Sequence, residues 1–217
     1  MITNRLRKFA LTETEIFGEE NLPKEGGYIM YSNHQGKYDG VGMVAHFKRP
    51  FSILWDHRSS KQLITSQLVR LLDCPYIDVA HTENFMPVIQ RIVEIVKGGK
   101  PFLIYPEGEC FQSNTHRLEF QTGSFMASLL SKSTIVPVVL YDSHLSMNTN
   151  DIFHRVKTQI HYLKPIPYEE YKSMNRKALS RMVQGIIQAK LDELSGYKPE
   201  VQAEVQTEVQ PEPEKTI

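Results

Sequence analysis

The chain contains four apolar runs, each bounded by Gly, Pro, Asn or Asp. They are Gly27 to Ser32, Pro50 to Trp55, Pro101 to Tyr105 and Ile135 to Tyr141. Short apolar runs between turn-forming residues are typical of buried strands. We therefore predict four strands in the core of the fold.

Two segments between and after these runs have apolar residues at helical spacing. The first is Met86 to Val96, which ends at Gly98-Gly99, and the second is Lys177 to Leu194, which is followed by Gly196. Glycine directly after an amphipathic stretch is a common helix stop. Strands alternating with helices predict an α/β fold, a mixed and mostly parallel sheet flanked by helices.

The chain has 217 residues, 41% of them hydrophobic, which suits one packed domain. We place this domain at 1–197. Residues 198–217 contain five Glu against two Lys, with repeated Val-Gln pairs and prolines, and predict a disordered acidic C-terminal tail. The net charge is zero, so the body carries about three positive charges, too few to indicate nucleic acid.

Two cysteines, Cys74 and Cys110, are too far apart for a redox or zinc motif and favour a reducing cytosolic setting. No signal peptide and no apolar stretch of spanning length is apparent. We expect a cytoplasmic protein, soluble or peripheral on a membrane.

A candidate catalytic pair follows the first predicted strand. His34 and Asp39 are five positions apart, so their side chains diverge on a regular helix and meet only if the chain turns between them. Gly36 makes such a turn easier. If they meet, Asp39 accepts the proton of one ring nitrogen and leaves the other free to act as a general base.

A second segment, Tyr105-Pro106-Glu107-Gly108, places a carboxylate at the end of another predicted strand. With it, the sequence resembles the lysophosphatidate and glycerol-3-phosphate acyltransferases. Their N-H-x-x-x-x-D block matches Asn33, His34 and Asp39, their F-P-E-G block is similar to residues 105–108, and their I-V-P-V block matches Ile135 to Val138. Even the lead-in, Phe17 to Pro23, is similar.

The resemblance implies a glycerolipid acyltransferase-like fold and acyl transfer from a thioester to a hydroxyl of 1-acyl-glycerol-3-phosphate. His34 is the expected general base and Asp39 its orienting partner, with no metal and no cofactor. The donor is acyl-CoA or acyl-carrier protein, and the carrier protein is a possible docking partner of the basic body. Backbone N–H groups near Gly36 or Gly108 are candidate donors to the oxyanion.

The resemblance also suggests residues that bind the acceptor. Pro106, Glu107 and Gly108 match the block that contacts the glycerol, and Lys61 is a candidate for its phosphate. Tyr105 replaces the usual phenylalanine, a change we expect to be neutral. Val79 and Cys110 stand where the family has arginines, which puts the acceptor's identity in doubt. Arg117 or Arg58 is a candidate to compensate.

Other functions fit the sequence less well. A serine hydrolase needs a G-x-S-x-G elbow, which is absent. Glu107 and Glu109 would raise the pKa of a Cys110 nucleophile, and Asp56, His57 and His81 lack the spacing of metal ligands. The remaining rivals are a transferase for another lysophospholipid or lipid-linked alcohol, and a non-catalytic lipid-binding scaffold.

Membrane contact is expected from the substrate, because long-chain acceptors reside in bilayers. The segment Arg5 to Leu11 mixes basic and apolar side chains, a composition that suits an anionic interface. We therefore expect peripheral binding to the inner face of the cell membrane.

Overall fold

The computed structural model describes residues 11–36, 38–56, 70, 72–77, 85–148 and 155–196. Their main element is a six-stranded sheet of order β1-β8-β7-β2-β6-β3. Its strands, in chain order, are Thr12–Phe17 (β1), Tyr28–Ser32 (β2), Ser52–Ile53 (β3), Phe102–Ile104 (β6), Thr134–Tyr141 (β7) and Val156–Tyr162 (β8). Trp55–Asp56 (β4) and Tyr76–Ile77 (β5) form a separate parallel pair.

The four strands from β7 to β3 run parallel, as do β1 and β8, and β7 pairs with β8 antiparallel. This confirms the predicted mixed, mostly parallel sheet. The run from Pro50 to Trp55, predicted as one strand, is divided between β3 in the main sheet and β4 in the small one. The edge strand β1 and its neighbour β8 were not predicted.

The helices of the described part are Tyr38–His46 (α1), Phe85–Lys97 (α2), Met126–Ser131 (α3), Leu145–Asn148 (α4), Tyr168–Tyr171 (α5) and Arg176–Ser195 (α6), with 3-10 turns at Glu19–Asn21 and Thr122–Phe125. The two predicted helices correspond to α2 and α6. Asn175 caps α6 by accepting from the Ala178 N–H, and Gly196 ends it at a φ of 66°. No helix in these ranges is both long and apolar enough to cross a bilayer.

Alternate residues of the central strands bury into two separate cores. Ile29 and Tyr31 of β2 pack in the first core with α2, α3 and α6. Tyr28 and Met30 pack in the second with Met43 of α1. Across the described ranges, helices therefore cover both faces of the sheet, as predicted, which leaves the edge strands and the strand ends for a site.

Candidate active site

Three neighbouring parallel strands end at the same edge of the sheet, and the polar residues that follow them form the candidate site. His34 follows β2, Glu107 follows β6 and Asp142 follows β7. The carboxyl edge of a parallel sheet is where α/β proteins most often bind ligands. The order β7-β2-β6 places His34 on the middle strand.

His34 and Asp39 meet, as the sequence predicts. The Nδ1 of His34 lies 2.6 Å from Oδ2 of Asp39, and a carboxylate oxygen can only accept, so Nδ1 carries the proton. The chain turns after β2, and the Asp39 N–H bonds to the Gly36 carbonyl at 3.2 Å. This turn starts α1 and directs the Asp39 side chain back to the histidine.

Asp39 is buried and firmly held. Its Oδ2 also accepts the backbone N–H groups of Gln35 at 2.6 Å and Gly36 at 2.9 Å. The side chain of Asp39 is 0% exposed, whereas that of His34 is 27% exposed. Among the described residues nothing hydrogen-bonds to Nε2 of His34, so a basic nitrogen faces the open side of the site.

Glu107 supports the histidine through the backbone. Its Oε1 accepts the His34 N–H at 2.8 Å and its Oε2 lies 2.7 Å from Nε2 of His116. The side chain is 0% exposed, and burial raises its pKa above the ordinary 4.5, against the hydrogen bonds from His116 and His34 that lower it. The Phe111 N–H adds a bond to the His34 carbonyl at 2.8 Å. Both backbone groups of His34 are therefore fixed by the loop after β6.

Tyr105 covers one face of the imidazole. Its ring stacks on that of His34 with centroids 4.3 Å apart and planes 18° from parallel. The Tyr105 hydroxyl and Oδ1 of Asp39 are both buried and have no hydrogen-bond partner in the described part of the chain. Two complementary polar atoms thus lie unsatisfied beside the same histidine.

Two buried amides that the sequence analysis did not assign join the loops of the site. Asn33 exchanges two hydrogen bonds with the backbone of Leu140 at 2.8 and 2.9 Å. Gln35 donates to Ser113 and Asn114 and accepts from the N–H and hydroxyl of Ser143. Only the place of Asn33 in the N-H-x-x-x-x-D block was a signal, because the partners of both amides are distant in sequence.

The remaining predicted residues are placed less centrally. The Pro106 carbonyl accepts the N–H of Gln121 at 2.8 Å, and Gly108 has a φ of 75° that favours glycine. Arg117 forms an ion pair with Asp192 of α6 at 3.1 Å, with half of its side chain exposed. Lys61, Arg58, Val79 and the histidines 57 and 81 lie outside the described residues.

Within the two regions suggested for the oxyanion donors, the N–H groups of Gly36 and Gly108 themselves are already used. The Gly36 N–H bonds to Asp39, and the Gly108 N–H lies 3.3 Å from the Tyr105 carbonyl. The next N–H groups, those of Glu109 and Cys110, have no acceptor among the described residues. Over the same residues, no group of three His, Cys, Asp or Glu side chains is arranged to hold a metal.

Comparison with known proteins decides the family. The family model described as acyltransferase matches residues 13–141, more than half of the chain. The chain belongs to the acyltransferase family. This confirms the resemblance seen in the sequence and makes the protein an acyltransferase, with both His34 and Glu107 inside the matched region.

Two relatives of this acyltransferase show how far the likeness extends. The 1-acyl-sn-glycerol-3-phosphate acyltransferase of Borreliella burgdorferi is 22% identical over 178 residues, which cover 82% of this chain and 71% of the relative. The crystal structure of the 1-acyl-sn-glycerophosphate (LPA) acyltransferase PlsC from Thermotoga maritima superposes with a TM-score of 0.70 at 19% identity, covering 88% of this chain and 78% of that one. The second likeness is evidence for the fold.

Proposed function

We propose that this acyltransferase moves a fatty acyl group from an acyl thioester to the free hydroxyl of 1-acyl-glycerol-3-phosphate, giving phosphatidate. The observation that carries the proposal is the 2.6 Å contact between His34 and the buried Asp39, with Nε2 on the exposed side. The names of the two relatives support this acceptor.

The proposed mechanism needs no covalent enzyme intermediate. Nε2 of His34 takes the proton of the acceptor hydroxyl while the hydroxyl oxygen attacks the thioester carbonyl carbon. The tetrahedral oxyanion then collapses, the carbon–sulfur bond breaks, and the thiolate takes the proton from the imidazolium. Asp39 fixes the tautomer and stabilises the imidazolium in both steps. The N–H groups of Glu109 and Cys110, which have no acceptor in the described part of the chain, are the oxyanion donors we favour.

The acceptor is the part of the proposal that needs the widest test, because Cys110 is an exposed thiol where the family resemblance implies an arginine. A thiol makes none of the bidentate contacts to phosphate that a guanidinium makes. Another lysophospholipid or lipid-linked alcohol is therefore the second candidate acceptor. The intact His34–Asp39 pair argues against a non-catalytic lipid-binding scaffold.

The experiment is acyl transfer from labelled acyl-CoA and from labelled acyl-carrier protein to a panel of lysophospholipids. Lysophosphatidate is expected to give the highest kcat/KM of the panel. A higher value for an acceptor without a phosphomonoester would move the assignment to the second candidate. No transfer from either donor to any acceptor would contradict catalysis and favour the scaffold.

We also propose that the enzyme meets its acceptor at the inner face of the cell membrane, as a peripheral protein of the cytoplasm. Phe111 and Leu145 are large apolar residues with 39% and 37% of their surface exposed. Phe111 bonds to the His34 backbone, and Leu145 follows His144, whose Cα lies close to Gly36. Both therefore flank the site on the side where a lipid must enter. The segment Arg5 to Leu11 remains a second, sequence-based candidate outside the described residues.

A further inference from the structure

Among the described residues, two buried polar atoms beside the catalytic histidine lack partners. The two carboxylate oxygens of Asp39 also differ in the number of hydrogen bonds that they accept. Its Oδ2 accepts three hydrogen bonds, from His34, Gln35 and Gly36. Its Oδ1 and the Tyr105 hydroxyl have none within the described residues, where the Tyr28 hydroxyl is the third such atom. Buried polar groups are nearly always paired, so each of these atoms calls for an explanation.

The Tyr105 hydroxyl and the Asp39 oxygen have complementary chemistry. Burial raises the pKa of Tyr105 well above 10, and the negative charge of Asp39 raises it further. The phenol is therefore a permanent donor, while an ionised carboxylate oxygen is only an acceptor. Both residues contact the same imidazole, Asp39 at Nδ1 and Tyr105 by stacking. A donor and an acceptor, both unsatisfied, are held on the same ring.

We propose that Tyr105 is a positioning residue for the general base and that its hydroxyl donates to Oδ1 of Asp39 through one bridging water molecule. The proposal rests on the proposed function in so far as His34 is the base. It gives a role to a side chain that the sequence analysis treated as a neutral replacement for phenylalanine. The ring packs on the imidazole, and the hydroxyl supplies a hydrogen-bond donor for Oδ1 of Asp39.

The consequence is that the Tyr105 hydroxyl affects how strongly Asp39 favours the protonated form of His34. A donor to Asp39 spreads its negative charge, so the carboxylate stabilises the imidazolium less. His34 then stays neutral, and able to accept a proton, down to a lower pH. Removal of the hydroxyl strengthens Asp39 as an acceptor and shifts protonation of His34 to higher pH.

Other titratable groups surround the pair, and these residues are the same in the wild type and in a variant that lacks only the Tyr105 hydroxyl. They are Glu107 and His116 on the loop after β6, His144 after β7, and Tyr162 on β8. A shift caused by loss of the Tyr105 hydroxyl is therefore measured against an unchanged set of charges.

The test is Tyr105→Phe, which keeps the stacked ring and removes only the hydroxyl. Tyr28→Phe is the matched control, since it also removes a buried, unpartnered hydroxyl but lies at the start of β2, away from His34. In Tyr105→Phe we expect the acid limb of the kcat/KM profile to move up by about half a pH unit. The effect should lie in kcat and leave the acceptor KM unchanged, whereas Tyr28→Phe follows the wild type.

A second readout does not depend on acyl transfer. The His34 imidazole is titrated by nitrogen NMR in the same three proteins, and its midpoint should rise in Tyr105→Phe alone. This measurement tests the proposal even if no acceptor is acylated. A Tyr105→Phe titration that overlays the wild type, or a Tyr28→Phe shift of equal size, would overturn it.

Discussion

Oε1 of Glu107 accepts the backbone N–H of His34 at 2.8 Å, so a residue expected to contact the acceptor also holds the loop that carries His34. Its other oxygen bonds to Nε2 of His116, whose Nδ1 faces the Ser113 carbonyl at 3.2 Å. Since both carboxylate oxygens of Glu107 are engaged by protein groups, we infer that it positions His34. Acceptor binding by Glu107 remains the competing prediction.

Glu107→Ala and Glu107→Gln separate these two roles. Alanine leaves the His34 N–H and Nε2 of His116 without their Glu107 partner, which should cost about 1 to 3 kcal/mol of unfolding free energy and lower kcat. Glutamine can still accept from the His34 N–H and donate to a neutral His116. It should therefore restore most of the unfolding free energy and most of kcat. Urea unfolding and steady-state kinetics provide the measurements. An acceptor KM that rises in both variants while kcat holds would instead assign Glu107 to substrate binding.

His161 should make the fold sensitive to acid. Burial lowers its pKa from 6.5 to about 4, and the nearby Lys190 adds to this. Between pH 6.5 and pH 4 the folded state thus binds fewer protons than the unfolded state. The stability that is present above pH 6.5 is therefore lost as pH falls toward 4. Between pH 7 and pH 5 this amounts to about 2 kcal/mol.

The matched variant is His161→Phe, which can retain the stacking on Phe17, where the ring centroids are 4.5 Å apart. Urea unfolding of both proteins at pH 7 and pH 5 isolates the contribution of His161 to stability, because the two proteins differ only at this residue. The wild type should lose about 2 kcal/mol more than the variant. Equal losses would mean that His161 keeps its proton equilibrium on folding.

Membrane binding should depend on the apolar residues that flank the site. The Phe111→Asp, Leu145→Asp double variant should float less with anionic vesicles that contain lysophosphatidate, since it places charge where lipid must approach. Leu130→Asp is the control, because Leu130 is 45% exposed on α3, just before β7 begins at the opposite edge of the sheet. Flotation that is reduced equally by both changes, or by neither, would contradict the proposal that Phe111 and Leu145 contact the membrane.

The central strands could be predicted because their burial is encoded locally. β2, β6 and β7 are continuous apolar runs, and both predicted helices end at glycines. β1 and β8 were missed because Thr12–Phe17 and Val156–Tyr162 are mostly polar and contain no continuous apolar run. Their stability comes from pairing with each other over more than 140 positions, as in Thr14 with Thr158, which no local pattern contains.

The contact between His34 and Asp39 could be predicted for the same reason, since a five-residue spacing needs only one turn. The surroundings of the pair could not. Glu107 and His34 are 73 positions apart, and Gln35 and Ser143 are 108 apart. Such contacts exist only because β6, β2 and β7 end side by side. The neutral reading of Tyr105 came from its residue type, whereas our proposal for it comes from its stacking and burial.

The assignment of His34 as the general base is tested by acyl transfer with His34→Ala, assayed at pH 7 with the best acceptor of the panel. Asp39→Asn is assayed alongside it, because an amide cannot stabilise the imidazolium as a carboxylate does. Loss of the general base should lower kcat by about 10² to 10⁴ with an unchanged melting temperature. A folded His34→Ala protein that keeps its activity to within about threefold, far short of the loss expected for a general base, would contradict the assignment of His34 as that base.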